Sequence, residues 1–146
     1  LDEQNYIEVL NPITNDFDSL RPNLYVSMIM AMKNNIMASK PVKLFEIGKI
    51  VEKVLGKPVD KERISIAIMD ESLSYEDIQS VVYSLLKMLN IEFKVLSSSN
   101  KFLIKGRSAD LIVNNKIIGY FGEVSPYILE KFSLEYPIVY GELDLG

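Results

Sequence analysis

The stretch KLFEIGKIV, residues 43–51, decides how the chain is read. Leu44, Phe45, Ile47, Ile50 and Val51, with Val42 before them, carry the apolar and β-branched weight that a half-buried strand favours. Glu46 and Gly48 interrupt it, and strands usually avoid both residue types. Two readings are open. Either this is an edge strand with Glu46 in water and a bulge at Gly48, or it belongs to a site, with Gly48 letting another group come close.

Outward from that strand, the pattern alternates between strand and helix signals. NYIEVL (5–10) reads as a short strand ended by Asn11-Pro12. Leu20, Leu24, Met28, Met32 and Ile36 recur every four residues and predict a helix, with Pro22 in its first turn and Asp16 and Asp18 near its positive end. Methionine at this spacing is read as core. EKVLGKPVDKER (52–63) reads as a polar connection centred on Gly56 and Pro58, and ISIAIM (64–69) as a strand covered on both faces. Ser74 and Asp77 have the spacing of a capping box before a second helix, whose core stripe is Ile78, Val81, Val82, Leu85, Leu86 and Leu89, closed by Asn90.

The last third reads mainly as sheet. IEFKVL (91–96), KFLIK (101–105), ADLIV (109–113) and KIIGYFGEV (116–124) are predicted strands, the last two joined by a two-residue turn at Asn114-Asn115. Ser125-Pro126 caps and opens a short helix through Phe132, and YPIVYGELDL (136–145) is the final strand. The expected fold is α+β: a mostly antiparallel sheet of about six strands with two long helices and a short one.

Composition narrows the chemistry. At 146 residues the chain suits one domain, and 48% hydrophobic with 25% charged residues is ordinary for a globular protein. No apolar run approaches the ~20 residues that span a bilayer. The acidic N-terminus lacks the pattern of a signal peptide. The absence of cysteine excludes disulfides, thiolate metal sites and cysteine nucleophiles, and fits a cytosolic protein. The absence of histidine removes the usual general base and the commonest transition-metal ligand. A carboxylate-held Mg²⁺ stays open. Net charge is −4, the arginines are Arg21, Arg63 and Arg107, and the lysines are scattered, which argues against direct nucleic-acid binding.

Six separated stretches, in order and spacing, resemble one family: NPIT (11–14), LRPNL (20–24), LFEIGKIV (44–51), KGRSADLIV (105–113), IGYFGEVSPYIL (118–129) and GELDL (141–145). They are similar to the C-terminal, catalytic-like module of the phenylalanyl-tRNA synthetase β subunit, in its shorter archaeal or eukaryotic style. Ser125 departs from the histidine usual before Pro126, and Lys105 from the proline that often precedes the Gly-Arg pair.

The resemblance implies a class II aminoacyl-tRNA synthetase-like antiparallel sheet flanked by helices, spanning residues 1–146 as one domain and expected as a C-terminal piece of a longer chain. It implies an α subunit that joins phenylalanine to its tRNA with ATP, a β subunit carrying an inactive copy, and an (αβ)₂ assembly in the cytoplasm, away from any membrane. ATP and Mg²⁺ are then cofactors of the holoenzyme. This piece is expected to hold no catalytic, cofactor-binding or metal-binding residue and to touch the tRNA little.

In catalytic relatives, LFEIGKIV matches the first strand of the hairpin that grips ATP and the acceptor end, with an arginine and an acid just beyond it. Arginine suits that task because its planar fork meets phosphate oxygens in pairs. Here Glu52 and Lys53 come next, Arg63 lies far along, and neither a late glycine-rich arginine helix nor a glycine-rich phosphate loop occurs. The long helix that opens the class II core would precede residue 1, so an apolar patch is expected on the surface and offers a route to self-association. Arg21, Glu46, Arg107 and Glu123 are expected as structural partners in partly buried Arg–carboxylate pairs. Two readings compete: a genuine class II-type ATP-using enzyme, and a stand-alone interaction module with only fold-level likeness.

Overall fold

The structure is a computed structural model that describes residues 24–145. The predicted strand 5–10 and the expected first turn of the first helix lie outside the described residues. The described elements are α1 (Tyr25–Asn34), β1 (Val42–Val54), β2 (Lys57–Met69), α2 (Tyr75–Met88), β3 (Lys94–Ser97), β4 (Leu103–Val113), β5 (Lys116–Val124), α3 (Pro126–Lys131) and β6 (Ile138–Asp144). The six strands form one sheet in the order β1-β2-β6-β5-β4-β3, antiparallel at every pairing.

Each face of the sheet has its own core. On one face, Tyr25, Val26, Met28, Ile29 and Met32 of α1 pack with Phe102, Ile138, Tyr140 and Ile128 of α3. The methionine stripe is therefore core. On the other, Ile78, Val82 and Leu86 of α2 lie on Phe121, Val139, Leu143 and Leu111. Local signals place these helices: Asp77 accepts from the Ser74 backbone N–H at 2.8 Å, and Asn90 takes φ 56° where α2 ends. The Ser125 hydroxyl accepts from the Ile128 N–H at 3.3 Å, and Asn114 and Asn115, at φ 51° and 64°, turn β4 into β5. No helix among the described residues is long and apolar enough to cross a membrane.

Three expectations are corrected. Residues 52–63 are not a loose connection: β1 and β2 pair without a break from Val42↔Met69 to Val54↔Lys57, and the turn is Leu55-Gly56 at φ 55° and 80°. β6 reaches only to Arg63, so among the described residues the outer half of this hairpin has no further strand beside it, and past Ile50 most of its described side chains are exposed. Its side chains from Lys53 to Asp60 are all exposed, so neither face carries a buried apolar row, which hides a strand from an alternation test. KFLIK and ADLIV are one strand, β4, with a register shift between Leu103 and Ser108 and Gly106 at φ 87°; the polar residues between them sit at the irregular stretch. The strand expected over 91–96 keeps only Lys94–Ser97, because Ile91 and Phe93 turn in to pack with the core under α2.

The opening stretch contains no bulge. Gly48 is needed for space: a Cβ there would stand 2.8 Å from Cδ2 of Leu24, a side chain with no exposed surface. Gly48→Ala is expected to cost about 1–3 kcal/mol by overpacking. In a Leu24→Ala background, where room has been made, most of that cost should vanish. Urea unfolding of the four variants measures it, and strict additivity would mean that the two side chains do not compete for the space.

Candidate functional site: a buried carboxylate network

Register brings the site together. Across the face covered by α1, Glu46 lies opposite Ser65, Ser65 opposite Glu142, and Glu142 opposite Tyr120. The adjacent row holds Gly48, Arg63 and Asp144. Strand alternation sends Tyr140, Glu142 and Asp144 of β6 to this face and leaves Val139, Gly141 and Leu143 for α2.

Glu142 is wholly buried. Its Oε1 accepts from the Tyr140 hydroxyl at 2.6 Å, the Leu24 backbone N–H at 2.9 Å and the Tyr120 hydroxyl at 3.1 Å. Its Oε2 accepts from Arg63 Nη1 at 2.5 Å, and Arg63 Nε donates to Asp144 Oδ1 at 2.6 Å. One guanidinium fork thus spans two acids, with the Arg63 side chain only 11% exposed. Burial works against the Arg63 charge, but the hydrogen bonds and charges of Asp144 and Glu142 outweigh it and hold its pKa above the ordinary arginine value. Burial, reinforced by the Glu142 charge, pushes the Tyr140 phenol well above its usual value.

Of the four residues read from sequence as structural partners, three are among the described residues. Arg107 and Glu123 come together at 3.4 Å, with the arginine side chain 64% exposed and the acid 15%. The other Glu123 oxygen accepts from the Tyr75 N–H at 3.0 Å, which ties the start of α2 to β5. Glu46 is half-buried with its Oε1 3.5 Å from the Ser27 hydroxyl, and Arg21 lies outside the described residues. Sequence reading passed over Arg63 and Glu142. The signal was available: Glu142 is an acid inside the final strand among apolar neighbours, the pattern that drew attention to Glu46 and Glu123.

Among the described residues, neither arginine stands without a carboxylate partner. Arg63 is committed to two carboxylates, Arg107 stands at the surface beside Glu123, and Leu24 fills the space over Gly48. Among the described residues no group of three or more acids could hold a metal ion.

Removing one member of such a pair strands the other in a dry site. Glu142→Gln is expected to lose about 3–5 kcal/mol of unfolding free energy, while Arg107→Ala should lose on the order of 0–1 kcal/mol, as exposed pairs do. Denaturant melts decide this, and equal losses would contradict it. Tyr140 adds a pH signature. Its folded pKa lies above its unfolded one, near 10, so its contribution is complete below that pH and is lost as pH rises toward the folded value. Tyr140→Phe should therefore lose stability less steeply than the parent above pH ~10.

Comparisons with known proteins place the chain. Residues 1–145 match the family described as phenylalanyl tRNA synthetase beta chain CLM domain. The phenylalanine–tRNA ligase beta subunit of Aeropyrum pernix is 37% identical over 139 residues, covering 95% of this chain and 25% of the relative. That of Saccharolobus solfataricus is 36% identical over 146 residues, covering 97% and 26%. The chain thus spans about a quarter of the length of these relatives. Among solved structures, pyrrolysyl-tRNA synthetase from Desulfitobacterium hafniense superposes with a TM-score of 0.70 at 17% identity, over 86% of this chain and 47% of that one, which is a likeness of fold. The chain therefore belongs to the phenylalanyl-tRNA synthetase β chain family, and its described residues fold into a six-stranded antiparallel sheet like that of a class II synthetase.

Proposed function

We propose that this chain is a non-catalytic assembly module of a phenylalanine–tRNA ligase β subunit, supporting an α subunit that attaches phenylalanine to its tRNA with ATP in a cytoplasmic (αβ)₂ enzyme. The observation that carries this reading is the fate of Arg63. In a class II active site arginines must be free to meet phosphate oxygens. Here the arginine nearest the sheet face of the hairpin is held by Glu142 and Asp144, and Leu24 occupies the adjoining space. ATP and Mg²⁺ then belong to the α subunit. What this chain offers a partner is a rigid sheet with a long, projecting hairpin.

Arg21 and Glu46 are proposed as a further structural pair within this module. Supporting it are the half-burial of Glu46 and the contact of its neighbour Gly48 with Leu24, close after Arg21 in sequence. Glu46→Gln should lower the melting temperature clearly, whereas Lys49→Gln, on the other side of the strand and exposed, should hardly matter. Equal silence of both would leave Glu46 as a solvated edge charge.

The functional reading is tested with two measurements. The chain alone should show no phenylalanine-dependent pyrophosphate exchange above background. Co-expressed with a phenylalanine–tRNA ligase α subunit, it should co-purify with it. Exchange by the isolated chain, or failure to associate, would overturn the assignment.

A further inference from the structure

The turn that closes the β1–β2 hairpin holds a residue at odds with its backbone. Leu55 and Gly56 both take positive φ, 55° and 80°, between the paired residues Val54 and Lys57, as a two-residue type I′ turn requires. Asparagine or aspartate before the glycine is what such a turn favours. A leucine Cβ crowds the left-handed region, and its side chain has no polar atom to bond the turn in return. Burial does not offset that strain, because Leu55 is 98% exposed. Conformation and exposure are both unfavourable at one residue, and strain of this kind gathers where a chain meets something else.

The apex around Leu55 is apolar. Val54 is 45% exposed and Val59 38%, and the pairs Val54↔Lys57 and Glu52↔Val59 set both valines on one face of the ribbon. From Gly48, level with the end of β6, β1 runs on to Val54, roughly 20 Å, with only β2 beside it among the described residues. Lys53, Lys57 and Asp60 are exposed around the apex, a rim of mixed charge as at the edge of a protein contact. Between Glu52 and Glu62 the sequence has no aromatic residue and no arginine, so the tip offers a nucleic acid neither a stacking platform nor a phosphate fork.

We propose that Leu55, flanked by Val54 and Val59, is the anchor with which this hairpin seats in an apolar socket of the α subunit. The inference rests on the assembly reading above and names a contact that makes the assembly. A leucine at the apex of a projecting ribbon is the first group to enter a cavity and the one most fully dried there. The tight turn also holds its backbone in one conformation before docking, which reduces the freedom lost on binding. Asparagine would serve the turn better and the socket worse, so the two demands on residue 55 pull in opposite directions.

The test compares the whole chain with its Leu55→Asn and Leu55→Met variants, each alone and with a phenylalanine–tRNA ligase α subunit. Alone, Leu55→Asn should melt about 2–4 °C higher than the parent, since it relaxes the turn and gives up no packing. With the α subunit it should bind about tenfold or more weakly than the parent, whereas Leu55→Met, which keeps an apolar reach, should stay within about threefold. Hydrogen exchange should show the tip amides from Lys53 to Val59 gaining protection in the complex. Equal binding of the α subunit by the parent and Leu55→Asn would overturn this inference and leave the assembly reading standing; no association by the parent would overturn both. A lower melting temperature for Leu55→Asn would make Leu55 a residue of the fold and overturn the inference too. So would tip protection that grows with the concentration of the chain alone, since the occupant would then be a second copy. A loss of tRNA binding with subunit affinity unchanged would also overturn it, because the occupant would be RNA.

Discussion

A single carboxylate, Glu142, fixes how this fold is put together. Burying an isolated carboxylate costs several kcal/mol even after the protein relaxes, so it persists only where donors surround it. Glu142 has them: two tyrosine hydroxyls, one guanidinium and the backbone N–H of Leu24. These groups come from β5, β6, β2 and the residue before α1. The network need not add net stability, since an apolar residue of similar size often serves as well. Its gain is uniqueness. A slip of β6 by one residue would drive Glu142 into the apolar core beneath α2 and bring Leu143 against Arg63. Strand register, the start of the first helix and the pose of Arg63 are therefore settled by one side chain.

On the proposed reading, the same network keeps Arg63 out of phosphate chemistry. An arginine that is to hold phosphate must lose little by meeting it, yet Arg63 is already bound to two acids in a partly dry site. Releasing it would leave Glu142 buried with its charge uncompensated. The space over Gly48 of β1 is taken by Leu24, admitted by the missing side chain of that glycine. The sheet keeps the architecture of class II synthetases while its interior has been committed to self-contacts. The inner half of the long β1–β2 hairpin builds the sheet, and its tip, with Leu55 almost wholly exposed, contributes nothing to the core.

Much of this was legible in residues. The helix stripe of Leu24, Met28 and Met32, the turn at Asn114-Asn115, the cap at Ser125-Pro126 and the final strand are all local patterns, and local patterns survive in a sequence. The outer hairpin was not legible, because residues 53–60 are exposed on both faces and so show no alternation to betray them. Nor was the break in periodicity at Gly106 and Arg107, where an irregular register hides one continuous strand. The network was half visible. An acid inside an apolar strand marks a buried charge, but which arginine meets it depends on β2 lying beside β6, a pairing between segments some eighty residues apart. Spacing along the chain carries no trace of that neighbour.

The central claim, that Glu142 holds the entry to α1 from within the core, is tested most directly by native-state hydrogen exchange at the Leu24 amide. A backbone N–H held by a buried carboxylate should open only with the whole sheet, so its protection should approach that of the β6 amides and track global stability through added denaturant. If the Leu24 amide exchanged near its unprotected rate while β6 stayed protected, the bond to Glu142 would not be the tie between helix and sheet, and the account would fail.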